Sequence, residues 1–162
     1  MKRALLILNA QREYSRAGSF PLWNIEATVT AIEAKIAEFN ESNELVIFAQ
    51  QISPKGSVLF AADSPEIALF DQLTLMANNP QVIHKHFPNA FEQSALLALL
   101  NQQDIECLEI CGMMTQNCVL FTAISEQAKH FQVKVLANYC TSVSQVIHES
   151  ALSGLTRMAM IA

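Results

Sequence analysis

Charged residues are scarce in this sequence of 162 residues. Asp, Glu, Lys and Arg together make up 15% of it, whereas they make up about a quarter of an ordinary soluble domain. Ten Lys and Arg against fifteen Asp and Glu give a net charge of -5 without any basic block, so we expect neither nucleic acid nor an anionic membrane surface as a partner. Hydrophobic residues make up 51%, which excludes a disordered chain and predicts an apolar surface that pairs with further copies, in a homodimer or higher homo-oligomer.

Long hydrophobic runs are also missing. The apolar run at residues 4–8 follows Lys2 and Arg3 as in a signal peptide, but it is too short and polar residues follow it at once. No other run approaches the length of a membrane span. The four cysteines lie in the second half of the chain, at Cys107, Cys111, Cys118 and Cys140. Without a secretory signal we expect them to be reduced thiols in a cytoplasmic protein.

Short apolar runs alternate with amphipathic segments along the chain. Five runs are typical of strands buried on both faces, at residues 4–8, 45–49, 82–84, 107–111 and 133–137. Apolar residues spaced by three and four predict helices at 25–39, 91–103, 116–130 and 144–155. This alternation predicts a mostly parallel sheet covered by helices on both faces, a three-layer α/β/α, Rossmann-like fold formed by residues 1–162 as one domain. Any sixth strand has to be the short segment 158–161.

Polar side chains follow three of the predicted strands. Asn9 and Gln11 follow the first, Lys85 follows the third and Cys118 lies after the fourth. Ligands of open parallel sheets bind beyond the carboxyl ends of the strands, so these residues are candidates for a site. With Thr115 as N-cap, Cys118 falls in the first turn of a helix, where free amides and the helix dipole favour the reactive thiolate. The alternative is that Cys118 is a small buried hydrophobic residue, as most free cysteines are.

The histidines point less clearly to a site. His84 and His86 flank Lys85, and strand alternation puts the two imidazoles on one face and the ammonium on the other. A His-x-His pair needs a third or fourth ligand to hold a metal, and none is obvious, so we expect hydrogen-bonded or solvated histidines and no metal. His148 is assigned to a solvated helix face, and Glu13 to the surface.

Several segments match one known family in order. Residues 4–11 match an apolar strand that ends in Asp-x-Gln, and Lys85 with the segment after it matches a lysine segment followed by a helix. Residues 112–119, with the sequence GMMTQNCV, match a Gly-x-x-Thr-x-x-Cys-Val nucleophile turn, and residues 133–138 and 148–152 match the last strand and helix. On these segments the chain resembles the isochorismatase-like cysteine hydrolases, which include nicotinamidases and N-carbamoylsarcosine amidases.

The resemblance implies a site built on three side chains. The family's Asp, Lys and Cys fall on Asn9, Lys85 and Cys118. In the family the acid takes the thiol proton, the lysine stabilises the resulting charge, and the thiolate attacks an amide or related carbon. The resemblance also implies a cis peptide between Met113 and Met114, with the amides of Met114 and Cys118 aimed at the developing oxyanion. Candidate pocket residues are Gln11, Phe20, Trp23, Phe91 and Thr115.

Three departures from the family pattern bear on function. Asn9 stands where the family has Asp, and an amide cannot accept and return a proton at neutral pH. Gln51-Ile52-Ser53 stands where nicotinamidases have a metal-binding Asp-x-His, so the resemblance implies a site without metal or other cofactor. Asn138 stands where many relatives have a further Asp.

Two functions from different classes therefore remain. One is a metal-free hydrolase that cleaves a C–N bond of a small amide, imide or similar molecule. The other is a catalytically impaired relative that binds a small molecule without turnover, for which Asn9 is the main support. A third reading, an unrelated flavodoxin-like domain with an inert cysteine, requires the ordered matches to be chance.

Overall fold

The centre of the molecule is an all-parallel sheet of five strands. The computed structural model describes residues 1–158 and 160–162. β1 (Arg3–Leu8) pairs with β2 (Leu45–Gln51) on one side and with β4 (Cys107–Met113) on the other, and β3 (Pro80–Lys85) and β5 (Gln132–Thr141) complete the order β3-β2-β1-β4-β5. Five of the six residues of β1 are buried, which explains why its sequence is apolar without alternation.

Helices connect the strands and cover the sheet. They are α1 (Ile25–Glu41), α2 (Asp71–Thr74), α3 (Leu96–Gln102), α4 (Leu120–Ala123) and α5 (Gln145–Arg157). The apolar face of α1 is buried and packs against β2, β4 and β5. The alternating elements and the parallel pairing confirm the predicted α/β fold. Within residues 1–158 and 160–162, no helix is long and apolar enough to cross a membrane.

The helix predicted at 116–130 is wrong. The segment instead forms a π-helical turn at Thr115–Val119, then α4, then a 3-10 turn at Gln127–His130. α4 ends because the Ser125 hydroxyl donates to the carbonyl of Thr122 at 3.0 Å and accepts from the Ala128 amide at 3.2 Å. Such local hydrogen bonds compete with the helical pattern and leave no trace in the apolar periodicity.

Two other predicted boundaries are also wrong. The helix predicted from residue 91 begins only at Leu96, because Gln93 has a φ of 47°, outside the helical region. β5 continues past residue 137 to Thr141, so Asn138 lies inside the strand and is exposed. Segment 158–161, where a sixth strand is considered, includes Ala159, which lies outside the described residues; of its remainder, Ile161 forms one isolated parallel bridge to Val135.

A cluster of charged residues lies near the amino ends of the central strands. Glu109, in β4, is 3% exposed. Its Oε1 accepts from Arg3 Nη1 at 2.9 Å, and its Oε2 lies 3.0 Å from Lys35 Nζ without hydrogen-bond geometry. Arg3 also pairs with Glu44, and Lys35 with Glu38. We call these five residues the charge cluster, of which Glu109 and Lys35 are buried; it lies at the edge of the sheet opposite the carboxyl ends of the strands.

Candidate active site

A crevice opens beyond the carboxyl ends of β1 and β4. From β1 the sheet is built in one direction by β2 and β3 and in the other direction by β4 and β5. The order of the strands therefore reverses between β1 and β4, and parallel sheets bind ligands at such a switch point. Asn9 directly follows β1, Lys85 is the last residue of β3, and Cys118 lies in the π-helical turn after β4. Single π-helical turns are rare and occur frequently at functional sites.

Gly112 allows β4 to approach β1 closely where the crevice begins. Its φ is 110°, and a Cβ atom at this position would lie 2.2 Å from the carbonyl oxygen of Leu8 and 2.6 Å from its nitrogen. Only glycine fits there without moving the backbone just before Asn9. The peptide bond between Met113 and Met114, the second after Gly112, is cis.

Thr115 anchors the nucleophile turn and does not cap a helix. Its Oγ1 donates to the carbonyl of Thr141 at 3.0 Å and lies 2.8 Å from His148 Nδ1. Because a hydroxyl has a single hydrogen, the Nδ1–H of His148 donates to Thr115. The N-cap assignment of Thr115 is therefore wrong.

His148, predicted to lie on a solvated helix face, is buried. It is 8% exposed and packs on Trp23, with ring centroids 5.5 Å apart, so its assignment to a solvated face is wrong. Burial lowers the pKa of His148, and nearby Glu149 raises it by less. The imidazole therefore stays neutral at neutral pH and holds Thr115 from α5.

Two hydrogen-bond donors face the sulfur of Cys118. Lys85 Nζ and Asn9 Nδ2 each lie 3.3 Å from Sγ. Lys85 is 0% exposed, Asn9 1% and Cys118 4%. In the part of the chain that the structure describes, Sγ donates to no acceptor. A sulfur that receives two hydrogen bonds and donates none is arranged to carry negative charge.

Lys85 is held in place by two glutamines. Its Nζ donates to Gln51 Oε1. The main chain of Gln51 is fixed in turn by the side chain of Gln11. Gln11 Oε1 accepts from the backbone N–H of Gln51, and Gln11 Nε2 donates to the backbone carbonyl of Gln51, both at 2.9 Å. Burial lowers the pKa of Lys85, and the sulfur of Cys118 raises it by a smaller amount.

The side-chain oxygen of Asn9, close to the sulfur of Cys118, has no hydrogen-bond partner among the described residues. Its φ is 50°, in the left-handed region that asparagine tolerates. While Nδ2 donates to Cys118, the Oδ1 atom is buried and has no hydrogen-bond partner among the described residues. A buried acceptor of this kind requires an explanation, and a ligand N–H group would supply the missing donor.

A cavity of about 190 Å³ opens onto the sulfur. Apolar, aromatic and amide side chains line it: Asn9, Tyr14, Gln51, Leu59, Phe60, Pro88, Met114, Asn117 and Cys118. Glu13 fixes one wall, because its Oε2 accepts from the Phe60 amide at 2.6 Å and Phe60 has a φ of 55°. Glu13 is 3% exposed, so its assignment to the surface is wrong.

Tyr14 lines the cavity next to Phe60. The two rings meet edge to face, with centroids 5.2 Å apart. Burial raises the pKa of Tyr14, and the neighbouring Cys118 and Glu13 raise it further. The phenol therefore stays protonated at neutral pH and adds no negative charge to the cavity.

The aromatic residues proposed as pocket walls lie elsewhere. Phe20 is 38% exposed and packs on Tyr14 from outside, Trp23 lies against His148, and Phe91 stacks on Phe131. Gln11 and Thr115 lie behind the site, where they hold other residues. The side chains that do line the cavity, such as Leu59 and Phe60, lie in a loop without periodicity, so no sequence pattern pointed to them.

The donors near the site do not fit a metal ion. His84 and His86 are exposed while Lys85 is buried, which confirms the predicted alternation. Among residues 1–158 and 160–162, no three His, Cys, Asp or Glu side chains are grouped closely enough to hold a metal. Gln51, at the first position of the nicotinamidase Asp-x-His, already accepts from Lys85, and an amide is not a usual zinc ligand.

Cys118 differs from the other three cysteines in its surroundings. Cys107, Cys111 and Cys140 are free and buried. Burial raises the pKa of all three, that of Cys140 to about 12. They stay protonated at neutral pH, whereas Cys118 lines a cavity and accepts two hydrogen bonds.

A larger depression lies at the opposite edge of the sheet. It has a volume of about 450 Å³, and polar residues such as Asn40, Asn78 and Gln103 line it. None of its described lining residues is a cysteine or histidine. The smaller cavity is therefore the better candidate for chemistry.

Comparison with known proteins gives a consistent result. The family model described as Isochorismatase domain matches residues 3–162. The secreted isochorismatase effector Isc1 of Verticillium dahliae is 29% identical over 119 residues, which are 74% of this chain but only 62% of the effector's length. The isochorismatase family protein YddQ of Bacillus subtilis is 24% identical over 149 residues, 92% of this chain and 83% of that protein.

Solved structures show the same fold. The nicotinamidase/pyrazinamidase PncA of Bacillus subtilis superposes with a TM-score of 0.86 at 24% identity, covering 100% of both chains. At this level of identity the likeness extends to the architecture alone.

Proposed function

Because the chain belongs to the isochorismatase family, we propose that it is a cysteine hydrolase that cleaves an amide-type C–N bond of a small molecule through Cys118. The observation that carries the proposal is the pair of donors, Lys85 Nζ and Asn9 Nδ2, each 3.3 Å from Sγ at the end of a cavity. Donors on both sides stabilise the thiolate, which is the attacking form. PncA of Bacillus subtilis, which has the same fold, is named as a nicotinamidase/pyrazinamidase, that is, for the hydrolysis of an amide.

In the proposed reaction the thiolate attacks the carbonyl carbon and forms a covalent acyl-enzyme. The amides of Met114 and Cys118 stabilise the oxyanion from positions fixed before the reaction. Lys85 stabilises the sulfur's charge, and Asn9 orients the sulfur by its hydrogen bond. Water then hydrolyses the thioester and frees Cys118.

The cavity restricts the substrate. Its volume of about 190 Å³ is below the range of about 300–1,000 Å³ typical of drug-sized ligands, so the substrate is small. No carboxylate, guanidinium or imidazole is among the described lining residues, which favours an uncharged molecule. The unpaired Oδ1 of Asn9 favours a substrate that brings an N–H donor, as a primary amide does.

A second function, binding without turnover, has one specific observation in its favour. Asn9 occupies the position of the family's acid and donates to the sulfur instead of accepting its proton. General-base assistance contributes roughly 10²- to 10⁴-fold to such reactions. A chain without that carboxylate keeps the cavity and its contacts while hydrolysis is slow or lost.

The two functions differ in what remains on Cys118. Incubation with small primary amides, nicotinamide among them, followed by acid quench and mass spectrometry, is expected to show an acyl group on Cys118 and release of ammonia. Cys118→Ser should abolish both, whereas Cys140→Ser, a change at another buried cysteine, should keep them. A ligand that raises the melting temperature while neither adduct nor ammonia forms would establish the binding protein instead.

Three further expectations stay predictions. They are a single domain over residues 1–162, a homodimer or larger homo-oligomer, and a cytoplasmic location. The name of the Verticillium relative describes a secreted protein, so cell fractionation is the direct test of location.

A further inference from the structure

The proposed hydrolysis requires a group that moves protons, and Asn9 cannot serve. Its amide nitrogen donates to Sγ at 3.3 Å, and an amide neither gains nor loses a proton at neutral pH. Two protons must nevertheless be transferred: one to the leaving nitrogen and one from the attacking water. Another residue in contact with the reacting atoms has to accept and return them.

The neighbouring titratable groups are occupied elsewhere. Glu13 accepts a hydrogen bond from the Phe60 amide at 2.6 Å, and no hydrogen bond joins it to Cys118 in the described part of the chain. Burial raises the pKa of Tyr14, so the phenol is a poor acceptor. His148 is bonded to Thr115, behind the nucleophile turn. Lys85 Nζ, 3.3 Å from Sγ, is the one titratable group among the described residues that is hydrogen-bonded to the sulfur.

The charge balance also points to Lys85. A carboxylate at position 9 would neutralise the lysine while the thiol kept its proton. With an amide there, the counter-charge in hydrogen-bond contact with the buried ammonium is the thiolate itself. Buried charges are stable only in pairs, so the resting site holds either thiolate with ammonium or thiol with amine. The two forms differ by one proton moved between Sγ and Nζ.

We propose that Lys85 is the proton carrier of the reaction, donating to the leaving nitrogen and then accepting from water; this inference rests on the proposed hydrolase function. Nζ is suited to both steps. As an ammonium it has three hydrogens, of which one is donated to Gln51 and one to Cys118, and the third has no acceptor among the described residues. Gln51 and Gln11 hold the nitrogen in place throughout.

The steps balance without any further reactant. The thiolate forms the C–S bond, the C–N bond breaks, and one ammonium proton of Lys85 moves to the departing nitrogen, which leaves an uncharged amine and a thioester. Lys85 then takes a proton from water as the oxygen attacks the thioester. The C–S bond breaks, the acid leaves, and the thiolate and ammonium are restored.

The role is tested with p-nitrophenyl acetate, because its leaving group departs without a proton. The burst of p-nitrophenol measures acylation of Cys118, and the steady state measures deacylation, the step that needs an acceptor. Lys85→Arg keeps the positive charge but cannot give up a proton. We expect deacylation to fall roughly 10²- to 10⁴-fold, with a distinctly smaller loss in the burst. Lys35→Arg, at a buried lysine of the charge cluster, should change neither phase.

Equal losses in both phases of Lys85→Arg, or none, would overturn the proposal and leave Lys85 an electrostatic role. The proposed hydrolase function is refuted by a different result: a wild-type protein that gives no burst of p-nitrophenol, or a burst that Cys118→Ser does not abolish. Should Lys85→Arg not fold, Lys85→Met, which has a similar volume, replaces it. Asn9→Asp should then restore deacylation at least tenfold in the Lys85→Met background and much less in the wild type. The same factor in both backgrounds would also refute the proton-carrier role.

Discussion

Asn9, Lys85 and Cys118 are far apart in sequence, and the rule that located them is a simple one. Each follows or ends a strand of a parallel sheet, and such positions meet at one edge. The structure brings Nδ2 of Asn9 and Nζ of Lys85 to 3.3 Å from Sγ. What the rule cannot supply is side-chain direction, which is why Thr115 and Gln11 were assigned to the pocket although they hold other residues from behind it.

Gly112 offers a sharp test of the backbone at this site. Gly112→Ala should destabilise the protein by at least about 3 kcal/mol, because the new Cβ would lie 2.2 Å from the carbonyl oxygen of Leu8 at a φ of 110°. Gly154→Ala is the matched control: nothing lies within 4 Å of its Cβ position on the exposed side of α5. That change should stabilise the protein by about 0.5–1 kcal/mol. Urea denaturation measures both, and equal effects of the two changes would refute the close approach of β4 to β1.

His148 predicts a pH dependence of stability. Burial lowers its pKa in the folded protein, so the unfolded chain binds the proton more readily. The stability that neutral His148 contributes is complete above the unfolded value of about 6.5 and is lost as pH falls toward the lower folded value. The melting temperature of His148→Gln should therefore fall less between pH 7.5 and pH 5.5 than that of the wild type. His84→Gln, at an exposed histidine, should behave like the wild type, and a His148→Gln profile identical to the wild type would contradict the burial argument.

Among the elements, strands were predicted more accurately than helices. The five buried strands are set by apolar composition over a few residues, which is a local property, and each was found with its predicted core. The failures came from hydrogen bonds and backbone angles: Ser125 ends α4, and Gln93 delays α3. Neither feature changes the apolar pattern. The segment that carries Cys118 was therefore predicted as one long helix although it contains a π-helical turn.

Cys118 lies in a π-helical turn before a short helix, and this weakens one argument for its reactivity. α4 has four residues, and the charge effect of a helix terminus depends on many aligned peptide units. The dipole argument is thus weaker than the sequence suggested. In the proposed mechanism the direct donors, Lys85 and Asn9, take over its part in stabilising the thiolate.

On the scale of the whole molecule, stability and chemistry lie at opposite edges of the sheet. The charge cluster holds the amino ends of β1 and β4, and the candidate site occupies the carboxyl ends. Removing one partner of a buried ion pair leaves the other uncompensated. Changes at the two edges should therefore have separable effects.

Glu109→Gln tests this separation. It removes the carboxylate that Arg3 and Lys35 share, but Arg3 keeps Glu44 and Lys35 keeps Glu38 as partners. Unfolding in urea should therefore show a loss of about 1–3 kcal/mol, while the alkylation rate of Cys118 in the folded protein stays unchanged. Glu106→Gln, at an exposed carboxylate 3.8 Å from the N-terminal amine, should cost less than about 1 kcal/mol. A loss of Cys118 reactivity in folded Glu109→Gln would show that the two edges are coupled.

The central claim is that Cys118 is held as a thiolate by Lys85 without a carboxylate, and the alkylation of single cysteines by iodoacetamide as a function of pH tests it most directly. Free thiols gain reactivity steeply toward a pH of about 8.5. We predict that Lys85→Met makes the alkylation rate of Cys118 rise more steeply with pH than it does in the wild type, and that Cys107, Cys111 and Cys140 stay unmodified as internal controls. A pH profile of Cys118 that Lys85→Met leaves unchanged would contradict the account.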